Sequence, residues 1–117
     1  MTNKEVADRL VTLLREGRFN EVYDELFHVD AEHIEPQSEH FAQVKGVAAI
    51  KAKDAVMQEN ISGVEGLEVG DAIVSKGHIA LPYRMTVTLK DGNKWPLDEI
   101  IVYKVNDGKI VSEQFFY

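Results

Sequence analysis

The strongest constraint on this chain is a run of strict alternation in its second half. Ile79, Leu81, Tyr83, Met85, Val87 and Leu89 alternate with Ala80, Pro82, Arg84, Thr86, Thr88 and Lys90. This is the period-two pattern of a strand whose two faces meet different surroundings. Asp91-Gly92-Asn93 then turns the chain into a second extended run over 97–105, and Asn106-Asp107-Gly108 turns it into a third over 110–117. Both turns carry the Asp-Gly pair of tight hairpins. The pattern predicts an antiparallel meander, and its apolar faces need cover.

The first half supplies that cover. Thr2 and Glu5 form a capping box, after which Val6, Leu10, Leu13 and Leu14 recur at helical spacing until Gly17 closes the helix. Asn20 is placed to cap a second helix with Val22, Leu26 and Phe27 on one face. His33-Ile34-Glu35-Pro36 reads as extended, because proline disfavours helix at the preceding residue. After Gly46 a third helix runs over 47–60, with Ala49, Ile50, Val56 and Met57 as its apolar positions. Helices first and a meander afterwards make an α+β fold. No repeat, linker or low-complexity tract divides the 117 residues, so the reading is one domain, 1–117.

Charge and composition exclude several functions. A formal charge of −7 argues against nucleic acid, where Lys and Arg must neutralise phosphates. No apolar run approaches the ~20 residues of a membrane span and no signal segment is visible, so the expectation is a cytoplasmic protein without membrane contact. The absence of cysteine removes disulfides, thiolate metal sites and a Cys nucleophile. His28, His33 and His40 stand five and seven residues apart around Pro36, which fits no compact metal site.

Pairing arithmetic then assigns faces. A two-residue loop at Gly92-Asn93 sets Arg84 opposite Ile101, and sliding it by one residue sets Arg84 opposite Glu99. In either register even positions of the first strand share a face with odd positions of the second. A three-residue loop ending at Gly108 adds Glu113, Phe115 and Tyr117 to that face. One side therefore carries Pro82, Arg84, Thr86, Leu97, Glu99, Ile101, Tyr103, Glu113, Phe115 and Tyr117. The other carries Leu81, Tyr83, Met85, Val87, Ile100, Val102, Gln114 and Phe116. Three helices cover only one side, and a large bare apolar face is rare on a monomer. The expectation is a homodimer packed through Tyr83, Met85, Val102 and Phe116.

Two helices, an extended segment ending in acid-Pro, a glycine before a third helix and a closing meander: this order resembles the SnoaL-like and ketosteroid-isomerase-like branch of the nuclear transport factor 2 superfamily. The resemblance rests on Gly17, Glu35-Pro36, Gly46 with Ile50, Leu97-Asp98 and Gly108-Lys109-Ile110. It implies a cystatin-like cone, helices on the concave side of a curved antiparallel sheet, with a small-molecule pocket inside and no cofactor. It also implies that Glu35, before its proline, matches the carboxylate base of the isomerases. Their two oxyanion donors fall at Leu10 and Ile101, which cannot donate, so steroid isomerisation itself is not expected.

The catalytic candidates are thus Glu35, Glu99 and Arg84. Glu35 is either a base, its pKa raised by the pocket, or a solvated strand-end carboxylate. Arg84 and Glu99 would pair on the covered face, as a substrate clamp or as a structural ion pair. His33, Ile101, Tyr103, Phe115 and Tyr117 are candidate substrate contacts. Lys53 falls where the isomerase helix lines its pocket or is solvated, and Trp95 sits beside a turn. The function implied is acid–base chemistry of isomerase, cyclase or hydratase type on a carbonyl compound. The alternative is a non-catalytic homodimer of the same fold that binds a ligand or a protein.

Overall fold

The computed structural model describes residues 1–35 and 43–117. Pro36 and His40 lie outside the described residues. Three helices, α1 (Asn3–Arg15), α2 (Phe19–Leu26) and α3 (Val47–Glu59), accompany seven strands. The strands are β1 (Phe27–Ile34), β2 (Gln43–Lys45), β3 (Ile61–Val69), β4 (Ile73–Val74), β5 (His78–Leu89), β6 (Lys94–Asn106) and β7 (Lys109–Phe116). They form one sheet in the order β2-β1-β7-β6-β5-β3, with β4 on β5. All pairings are antiparallel except β1 beside β7. Among the described residues no helix is long and apolar enough to cross a membrane.

Local chemistry explains the elements. The capping box closes on both sides: the Glu5 amide donates to Thr2 Oγ1 at 3.1 Å, and the Thr2 amide donates to Glu5 Oε1 at 3.0 Å. Val6, Leu10 and Leu13 are wholly buried against the sheet. α2 begins at Phe19 without a side-chain cap, so Asn20 lies inside it rather than at its N-cap. Phe27 leaves the helix with φ −88° and ψ 140° and starts β1, which is a full strand of eight residues. Its ring packs edge-on against Tyr23 and Tyr103 instead of extending the helical face.

The turn between β5 and β6 decides the site. It spans three residues, Lys90-Asp91-Gly92, closed by a bond from the Leu89 amide to the Asn93 carbonyl at 2.8 Å. Gly92 takes φ +91°, the left-handed residue that such loops require. One residue more than the sequence reading assumed puts Arg84 opposite Asp98, Tyr83 opposite Glu99 and Met85 opposite Leu97. Odd positions now share a face with odd positions. The β6–β7 hairpin has a two-residue loop, Asp107 and Gly108, both at positive φ, and a bulge at Lys104/Val105 adds the compensating residue. Ile101 opposes Phe115 and Tyr103 opposes Glu113, so the parity inferred for these two strands holds although the register differs.

Two assignments are corrected by this register. Tyr83 and Met85 belong to the helix-covered side, not to the outer face. Arg84 lies on the outer face, 54% exposed, where its Nε meets Asp98 Oδ1 at 2.9 Å and its Nη1 meets Glu68 Oε2 at 4.0 Å. It makes no pair with Glu99. The outer face keeps Ile100, Val102 and Phe116, with Ile100 and Phe116 about half exposed.

Candidate functional site

The cone encloses a cavity of about 870 Å³ between the inner face of the sheet and the helices. Glu35, Glu99, His33, Ile101, Tyr103, Phe115 and Tyr117 all line it, and Arg84 does not. Its wall is largely apolar, with Met85, Val87, Leu97 and Ile101 on the sheet side; one polar cluster sits at the closed end, and Gln58, Asn60, Lys90 and Asp91 rim the other.

The closed end is built from three elements. β1 supplies His33, with Glu35 just beyond the strand, α3 supplies Lys53 and Asp54, and β7 supplies Glu113. His33 Nδ1 and Glu113 Oε1 are 2.6 Å apart, with both residues buried. His33 Nε2 lies 2.7 Å from Lys53 Nζ, and Lys53 Nζ lies 2.9 Å from Glu35 Oε2. Two cations cannot point protons at each other across 2.7 Å, so one of these nitrogens donates and the other accepts. Beside this chain, Tyr23 donates its hydroxyl to Asp54 Oδ2 at 2.5 Å.

The electrostatics separate the acids. Glu35 is held below the usual carboxylate range by its bond to His33 and, against the effect of burial, by Lys53. The raised pKa expected for Glu35 is therefore corrected: its hydrogen bonds to His33 and Lys53 outweigh desolvation, and a carboxylate so stabilised is a weak base. Glu99 behaves in the opposite way. Desolvation, reinforced by the negative charge of Glu35, pushes it up to about 7. No hydrogen bond or ion pair engages it among the described residues. Burial opposes charge on His33, but its bonds to Glu113 and Glu35 prevail and push it up to about 9. Burial also pushes up Glu113 and Asp54, against the pull of their neighbours.

Sequence reasoning had put Glu113 on the right face without assigning it a partner, and it left Lys53 open. The signal for Lys53 was its position three residues after Ile50, on the one buried stripe of α3. Asp54 and Tyr23 carried no comparable signal. His28 is exposed and accepts the Asp30 amide at 3.1 Å. Among the described residues, no group of three His, Asp or Glu is placed to hold a metal ion.

A curved, largely antiparallel sheet covered by helices around a cavity defines the fold class, and comparison with known proteins narrows it. The family profile of the SnoaL-like domain matches residues 1–117. A candidate SnoaL-like polyketide cyclase from Mesorhizobium loti is 30% identical over 100% of both chains, with a TM-score of 0.93. A candidate SnoaL-like polyketide cyclase from Jannaschia sp. CCS1 is 16% identical, covering 97% of this chain and 85% of that one, with a TM-score of 0.79. A cystatin-like protein of unknown function from Xanthomonas campestris is 18% identical, covering 99% and 90%, with a TM-score of 0.81. A search of curated proteins gave no match. The chain belongs to the SnoaL-like family.

Proposed function

We propose that this protein is an enzyme of acid–base chemistry acting on a small carbonyl compound, with Glu99 as the proton-transferring group. One observation carries the reading. Two carboxyls of the same cavity, Glu35 and Glu99, are driven to opposite sides of the ordinary range. Such divergence separates a fixed charge from a group that gains and loses a proton near neutrality. Glu99 would exchange a proton with the carbon or oxygen next to the carbonyl. Lys53, His33 and Glu35 would hold the polar end of the substrate, and Tyr103, Ile101, Phe115 and Tyr117 would line its path. Isomerisation, cyclisation and hydration all use such a step, and the M. loti relative, described as a candidate cyclase, is consistent with it.

The test needs no knowledge of the natural substrate. A panel of simple ketones is incubated with the protein in D2O, and exchange of the α-protons is followed by NMR. Exchange should rise with pH through an inflection near 7, and Glu99→Gln should abolish both the exchange and the inflection. Glu35→Gln should weaken exchange without removing the inflection. No exchange above buffer with any ketone would leave the second reading, a non-catalytic ligand-binding homodimer, which the depressed basicity of Glu35 favours. In either case we place the dimer contact on the outer face around Ile100, Val102 and Phe116.

A further inference from the structure

The cavity does not stop at the polar cluster. Along β6 its inward residues run Glu99, Leu97, Trp95, each opposite Tyr83, Met85 and Val87 of β5. Four residues of strand from Glu99 to Trp95 span about 13 Å. Both inward residues of β6 after Glu99 are apolar, and Gln58, Asn60, Lys90 and Asp91 stand beyond them at the rim. The far end is fixed in place, because the Lys90 amide donates to the Asn60 carbonyl at 3.0 Å and ties the end of α3 to the hairpin tip. That end of α3 brings Val56 and Met57 to the same cavity. Trp95, Val56 and Met57 are 58%, 55% and 46% exposed, unusually bare for large apolar residues beside a pocket.

Resting on the acid–base reading, we propose that the substrate is an elongated molecule with a polar head and an apolar tail. Its carbonyl sits at Glu99 and an apolar tail of roughly ten carbons lies along Leu97 and Met85 to end on Trp95. Trp95 is then the specificity-determining residue for tail length. The continuity of the cavity from Glu99 to Trp95 identifies the occupant as part of the substrate rather than a separate partner. A compact ligand confined to the polar end would leave the apolar strip wet.

The chain contains one tryptophan, so emission excited to the red of the tyrosine band reports on Trp95 alone. The probes are the straight-chain methyl ketones from butan-2-one to tetradecan-2-one. Kd should fall about threefold to fourfold per added methylene and level off near ten carbons, with a blue shift of emission that only the longer members produce. Calorimetry on Trp95→Ala and Met57→Ala should show the gain from the last carbons lost, with butan-2-one affinity unchanged. Affinity independent of chain length, or no ketone binding at millimolar concentration, overturns the proposal. So does binding seen by calorimetry with emission unmoved. Emission that shifts with protein concentration alone would place a second copy on Trp95 and equally overturn it. If tail length governs binding while α-exchange is absent, the tail site stands and the acid–base reading fails.

Discussion

Glu99→Gln should stabilise the protein while removing its proposed activity. Glu99 is partly buried with no hydrogen-bond or ion-pair partner among the described residues, and its carboxyl is pushed to about 7 from an ordinary 4.5. The folded state therefore holds a proton on Glu99 that the unfolded chain releases between pH 4.5 and 7. The sign follows from linkage: wild type loses stability as pH rises through that window, and the loss is complete above it. A shift of that size corresponds to about 3 kcal/mol in a dry site, and the open cavity reduces it to about 1–2 kcal/mol. Glutamine keeps the shape of the neutral acid and escapes the penalty. At pH 8 its Tm should exceed that of wild type by about 5–10 °C, and at pH 4.5 the difference should vanish. Thermal unfolding of both proteins across pH 4.5–8.5, followed by circular dichroism, measures this directly. A Tm difference that does not change with pH refutes the reasoning. A Gln variant that is less stable at pH 8 would mean that the Glu99 charge is compensated.

Four further outcomes follow from the same coordinates. His33, pushed up to about 9, stabilises the fold fully below about 6.5 and loses that contribution as pH rises through 9. Urea midpoints at pH 6, 8 and 10 should fall in that order, and His33→Gln should flatten the upper part of the trend. Glu113→Ala removes the buried partner of His33 Nδ1 and should cost about 3–5 kcal/mol in urea unfolding. Leu10→Ala, at a fully buried position of α1, should cost about 3–5 kcal/mol by the same measurement. Val102→Asp on the outer face should leave the Tm of a monomer nearly unchanged but convert a dimer to monomer in analytical ultracentrifugation. A wild-type protein that sediments as a monomer at micromolar concentration would remove the outer-face contact.

How much of this was legible in the sequence depends on the range of the interactions involved. Capping at Thr2 and Glu5, the buried stripe of α1 and the alternation along β5 are set within a few residues, so they could be read directly. Parity across β6 and β7 was also readable, because a three-residue loop and a two-residue turn with a bulge leave the same faces together. The β5 face was lost to a single residue of loop length at Lys90-Asp91-Gly92. A one-residue slip exchanges every inward side chain for an outward one, and Asp-Gly chemistry suits both lengths. That slip moved Arg84 out of the cone and brought Tyr83 and Met85 in.

The roles of the acids lay further beyond local pattern. Glu35 and Glu99 are the same residue type, and only tertiary packing gives one of them His33 and Lys53 as neighbours and leaves the other without a partner among the described residues. His33 meets Glu113 across 80 positions of chain and Lys53 across 20. A carboxyl's proton affinity depends on which charges and how much water lie within a few ångströms. The sequence determined the three helices, the meander and the set of groups able to carry chemistry. Tertiary structure decided which of them face one another, because that depends on loop length and burial rather than on residue type.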